Sequence, residues 1–104
     1  MLARDNRITK NDDFKRVMRK GRRIATDDAI VFVLRTDSDV SRMGVITAKD
    51  VGNSVARHSA ARRLREVGRI VIGEYADGID MIIRARVADV DVNRLASVII
   101  SRMR

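Results

Sequence analysis

The 104-residue sequence predicts an α+β fold, a compact two-layer sandwich of strands and helices. Three observations lead there. Apolar residues recur at helical spacing in three stretches, β-branched runs of strand length stand between them, and Asp, Gly and Ser cluster at the boundaries. A hydrophobic fraction of 45% supplies a packed interior, and the length leaves no room for two separate cores, so residues 1–104 are expected to form one domain.

Asn11-Asp12-Asp13 opens the first helix. Asn11 is the expected cap, the aspartates sit at the positive end of the helix dipole, and Arg19 and Lys20 sit at the negative end with Gly21 as the stop. Phe14, Val17 and Met18 share the face that packs. Arg22-Arg23-Ile24-Ala25 leads through a turn at Asp27-Asp28 into Ala29-Ile30-Val31-Phe32-Val33-Leu34, a buried strand by its β-branched content. A turn cluster at residues 36–39 then leads to a strand over residues 42–47, expected to form a hairpin with the strand before it. Gly44 inside that strand signals a bulge or a close approach.

In the turn at residues 49–53, Gly52 is free to take a positive φ, and Asn53 or Ser54 caps the long helix that follows. With Leu64 as the zero of a 3.6-residue wheel, Ala60, Val67, Val71 and Tyr75 share its stripe, while His58, Arg62, Arg65 and Arg69 fall on the other side. Gly68 costs about 1 kcal/mol against Ala and predicts a helix that frays or closes early around Gly73. Asp77-Gly78 reads as a turn and residues 80–86 as a strand. Residues 92–102, capped by Asp89 or Asp91, form a terminal helix with Val92, Leu95, Val98, Ile99 and Met103 on its apolar side.

Charge narrows the function classes. Lys and Arg number 22 against 14 acidic residues, a net charge of +8, and the excess lies in residues 1–23 and 49–73. Five arginines and one lysine supply the second block, and arginine pairs with phosphate in a planar, two-point manner that solvation alone does not require. Nucleic-acid binding is therefore favoured over a merely solvated face. On charge alone RNA and DNA stay equally open. A structural RNA-binding protein of ribosomal type and a DNA-binding regulator are the competing readings, the second weakened because no short helix and tight turn precede the basic helix.

Catalytic chemistry is missing from the sequence. There is no cysteine, His58 is the only histidine, and no second ligand stands at metal-binding spacing from it, so neither a metal nor another cofactor is expected in the protein. No glycine opens a phosphate loop and no serine sits in a nucleophile elbow. The opening residues lack an apolar signal core and no apolar run nears the roughly 18 residues of a membrane span, which predicts a soluble, cytoplasmic protein with no membrane partner. Phe14, Phe32 and Tyr75, read by themselves, are core residues.

From Lys49 to Glu66 the sequence closely resembles the signature of the bacterial ribonuclease P protein subunit, Lys-Lys-x-Gly-Asn-Ala-Val-x-Arg-Asn-Arg-x-Lys-Arg-x-x-Arg. The likeness extends to Arg7-Ile8, Asn11-Asp12-Asp13-Phe14, Gly21, Ala25, Gly44-Val45 and the stretch Asp80-Met81-Ile82-Ile83-Arg84-Ala85-Arg86. It implies an αβββαβα sandwich, of a type shared with a ribosomal protein, in which the signature helix joins parallel strands by a left-handed βαβ crossover. It also implies a function: assisting a catalytic RNA that removes the 5′ leader from precursor tRNA, with Mg2+ held by the RNA. Ribonuclease P RNA and the leader are the implied partners, with no DNA.

On this resemblance Lys49, Asn53, Arg57, His58, Arg62, Arg63, Arg65 and Arg69 form the RNA-binding set, and Phe14, Met18 and Phe32 line the leader cleft. Several positions depart from the pattern. His58 and Ser59 replace Asn-Arg, Ala61 replaces a basic residue, Asp50 stands where lysine is common and Met18 where an aromatic is usual. The charge lost at positions 59 and 61 predicts weaker RNA binding with a flatter salt dependence than in a full-signature relative.

Overall fold

The computed structural model describes residues 6–75 and 78–103. Its elements run α1 (Asn11–Lys20), β1 (Arg22–Ala25), β2 (Ala29–Arg35), β3 (Arg42–Ile46), a short 3-10 turn (Lys49–Val51), α2 (Ser54–Glu74), β4 (Ile79–Ala85) and α3 (Val92–Met103). The four strands form one mixed sheet in the order β1-β2-β4-β3.

This order corrects one expectation. β2 and β3 do not form a hairpin. β4 lies between them, antiparallel to β2 and parallel to β3, and the hairpin is instead β1 with β2. The reason lies in burial. Ile79, Met81, Ile83 and Ala85 are buried on one face and Asp80 and Ile82 on the other, so β4 is covered on both sides and belongs at the centre of the sheet. The tight β1–β2 connection is closed by Thr26, whose N–H donates to the Ala29 carbonyl at 2.9 Å and whose hydroxyl accepts from the Ala29 N–H at 3.1 Å.

Pleating divides the apolar side chains between two faces. Val31, Val33, Met43, Met81 and Ile83 meet Leu64, Val67 and Val71 of α2 and Leu95 and Ile99 of α3 in the larger cluster. Ile82 and Ile8 meet Val17 of α1 in a smaller one on the reverse face, flanked by half-buried Phe14, Met18, Phe32, Leu34 and Ile46.

Helix boundaries carry one further correction. Lys10, not Asn11, is the N-cap of α1, with no side-chain cap; its carbonyl accepts from the Asp13 and Phe14 N–H groups. Asn11 already belongs to the first turn. α2 closes at Glu74, beside the Gly73 where its end was expected, and it runs unbroken through Gly68, which is buried and whose bare Cα makes room for Met43. Asp91 caps α3 by accepting from the Arg94 N–H at 3.2 Å. Asp77 of the expected Asp77-Gly78 turn lies outside the described residues; Gly78 takes φ +85°. Among the described residues no helix is long and apolar enough to cross a membrane.

Candidate nucleic-acid interface

The start of α2 sets the site. Gly52 adopts φ +142°, a left-handed conformation that a residue with a Cβ resists. This turns the chain out of the 3-10 turn so that Asn53 sits in extended backbone at the helix cap, its Oδ1 accepting from the Ala56 N–H at 2.9 Å. One side of the Asn53 amide is thereby committed to structure. Lys49 is exposed on the turn just before it.

Along α2 the two-faced wheel is observed. Ala60, Leu64, Val67 and Val71 are fully buried, Tyr75 packs half-buried at the end, and His58, Arg62, Arg65 and Arg69 are exposed. Arg69 bonds to Glu66 one turn back, with Nε 3.0 Å from Oε1; this holds the Glu66 carboxyl below its usual range and pushes the Arg69 guanidinium up, in each case through that bond first. Arg63 turns the other way, toward α3, where Nη1 donates to the Val90 carbonyl at 3.2 Å. Of the expected RNA-binding set it is the one diverted from the basic face.

Arg57, His58 and Arg65 come together around a recess of about 400 Å³, whose other walls are Val45, Thr47, Ser54 and Ala61. No acidic residue lines it. The Arg57 Nε is buried without a hydrogen-bond partner, a donor that burial leaves unsatisfied. Ala61 is only 7% exposed, so the position that lacks the expected basic residue is part of the recess wall, not the outer face of the helix.

The recess continues into a groove. Arg65 and Val45 also line a depression of about 200 Å³ with Arg7, Ile8, Thr9, Phe14, Met43 and Gly44. Phe14 and Val45 in turn line a further 360 Å³ with Asn11, Lys15, Met18 and Ile46. One depression thus runs from the basic face of α2, over β3, to the apolar face of α1. Phe14 and Met18 form its far wall, while Phe32 lies on the same sheet face, opposite Arg23 on β1 and Ile82 on β4.

Gly44 provides the close approach expected of it, since a Cβ there would stand 2.6 Å from the Phe14 ring. Among the described residues no three His, Asp or Glu side chains gather where they could hold a metal ion.

Sequence reasoning passed over Thr47 and a charged cluster behind the groove, and it placed Arg7, Val45 and Ser54 only within the family likeness or at the helix cap, without a role on this surface. Asp80 on β4 is 1% exposed; it accepts from Arg42 Nε at 3.0 Å and Nη2 at 2.8 Å, and from Arg16 Nη2 at 2.7 Å. Its hydrogen bond is the first cause of the raised Arg42 pKa, opposed by desolvation. A lone carboxylate inside the apolar run Ile79-Asp80-Met81-Ile82-Ile83 was the available signal.

Comparison with known proteins points in one direction. The family described as Ribonuclease P matches residues 2–101. The ribonuclease P protein component of Clavibacter michiganensis subsp. michiganensis is 39% identical over 85 residues, covering 81% of this chain and 75% of that one. That of Mycobacterium avium is 38% identical over 91 residues, with 82% and 76% covered. Among solved structures, the RNase P protein of Staphylococcus aureus superposes with a TM-score of 0.76 at 27% identity, covering 94% of each chain. That of Thermotoga maritima, at 20% identity and a TM-score of 0.73 over 92% and 93% of the two chains, shares the fold.

Proposed function

This chain belongs to the ribonuclease P protein family, and we propose on that premise that it is the RNA-binding subunit of a ribonucleoprotein endoribonuclease that removes the 5′ leader from precursor tRNA. The observation that carries the reading is the continuity of the basic recess on α2 with the apolar groove under α1, through Val45, Arg65 and Phe14. One depression offers guanidinium groups to phosphates at one end and an aromatic wall to unpaired bases at the other, the two chemistries that single-stranded RNA needs.

In this reading Lys49, Asn53, Arg57, His58, Arg62, Arg65 and Arg69 meet the sugar-phosphate backbone of ribonuclease P RNA, and Phe14, Met18 and Phe32 receive the leader. Each guanidinium placed against a phosphate releases condensed counterions, so affinity falls as salt rises. The protein acts by neutralising phosphates where catalytic RNA and substrate meet, which lowers the magnesium the RNA requires. Hydrolysis would fall to Mg2+ held by the RNA, a group whose chemistry would be to activate a water and stabilise a leaving oxygen. This chain contributes no general acid or base, and its place of work is the cytoplasm, with precursor tRNA.

The test is reconstitution with ribonuclease P RNA, following leader removal at low magnesium with and without the protein. Faster cleavage with the protein is expected, and an unchanged rate would overturn the reading.

A further inference from the structure

Four charged side chains behind the groove form a closed ring. Asp80, from the central strand, bonds to Arg42 of β3 by two nitrogens and to Arg16 of α1 by one. Asp13 of α1 faces the same two arginines, with its Oδ1 3.3 Å from Arg16 and its Oδ2 3.5 Å from Arg42. The ring is formally neutral. Of its arginines, Arg16 lies inside the basic N-terminal block and Arg42 outside both basic blocks, and the charge of each is already matched by two carboxylates, so they add little to a phosphate footprint.

What the ring joins is more telling. Asp13 is followed directly by Phe14, the wall of the groove, and Arg42 precedes by two residues Gly44, against which the Phe14 ring lies. Two residues along a strand is one pleat, so Arg42 and Gly44 share a face. Any change in the distance from Asp13 to Arg42 therefore moves Phe14 over Gly44.

We propose that Asp13, Arg16, Arg42 and Asp80 are positioning residues for the leader groove: the ring sets the seat of α1 on β3 and β4, and with it the place of Phe14 and Met18 against the unpaired RNA. Two-point bonding by Arg42 fixes orientation as well as distance, which a single flexible ammonium does not. The inference rests on the reading of the groove given above.

The test uses holoenzyme reconstituted with ribonuclease P RNA and carrying Arg42→Lys, which keeps the charge and loses the two-point bond. Dissociation constants are measured for a precursor tRNA, for the same tRNA without a leader, and for the protein with its RNA. The expected result is a fall of roughly ten-fold in the affinity gained from the leader, the scale at which small misplacements of a contact act. The other two affinities stay unchanged.

An unaltered leader contribution in the folded variant, or an equal loss in all three affinities, would overturn the proposal and leave the ring a scaffold only. Should Arg42→Lys not fold, Arg16→Gln carries the same expectation at smaller size, since that side chain is 39% exposed. Absence of any leader preference in the unsubstituted holoenzyme would remove the groove reading itself, before a variant is measured, and the inference with it.

Discussion

Gly21 and Gly44 are glycines because of what a Cβ would touch. At Gly21 the backbone is ordinary, with φ −74°, and its N–H donates to the Val17 carbonyl at 2.7 Å. A Cβ would lie 2.5 Å from that carbonyl oxygen and 3.1 Å from that of Val33, both backbone atoms that cannot swing aside. Gly21→Ala is therefore expected to destabilise the fold by about 1–3 kcal/mol, read as a lower urea midpoint with unchanged slope. At Gly44 the neighbour is the rim of a half-buried aromatic ring, which can yield. The same substitution there shifts the groove wall more than it strains the backbone. Sequence alone marks both positions as special, but it cannot separate a glycine kept for its φ from one kept for its missing side chain.

At the scale of the element, α2 was almost fully legible. Its cap, its buried stripe and its basic face all follow from spacing, because a regular helix converts sequence distance into angle. What spacing could not supply was the neighbour on each side. Arg63 and Arg65 flank Leu64 symmetrically, yet α3 takes one side and β3 the other, so Arg63 bonds to Val90 while Arg65 reaches the groove. The two should differ in function. Arg65→Ala and Arg62→Ala are each expected to weaken binding to ribonuclease P RNA and to reduce the slope of log K against log salt by about 1. Arg63→Ala should leave that slope unchanged. Equal slopes for all three variants would contradict the assignment of the basic face. Ala61 belongs to this scale too: as a wall of the recess it leaves open the space around Arg57 and His58 that a longer side chain would occupy.

For the molecule as a whole, the sheet order and the buried Asp80 are the decisive features. Carboxylates are rarely buried without partners, and here the partners come from residues 16 and 42, far from position 80 in the chain. Removing the charge leaves two guanidinium groups facing each other with only Asp13 between them. Asp80→Asn is expected to cost on the order of 2–3 kcal/mol in equilibrium unfolding, below the ~3–5 typical of a fully buried pair because both arginines are about a third exposed to water. A loss under 0.5 kcal/mol, the scatter of ordinary surface changes, would count against the ring as a tertiary lock.

The sequence by itself determined the kinds of element, the two-faced helix, the polyanion partner and, through the signature at residues 49–66, the family. These are local properties: each is written in the spacing or identity of residues near one another in the chain. Only the tertiary structure decided that β4 enters between β2 and β3, that Arg63 and Arg65 part company, and that the recess and the groove become one depression closed behind by a ring of four charges. Those depend on contacts between residues tens of positions apart, whose pairing is chosen by the burial of a whole sheet and leaves no period in the sequence to read.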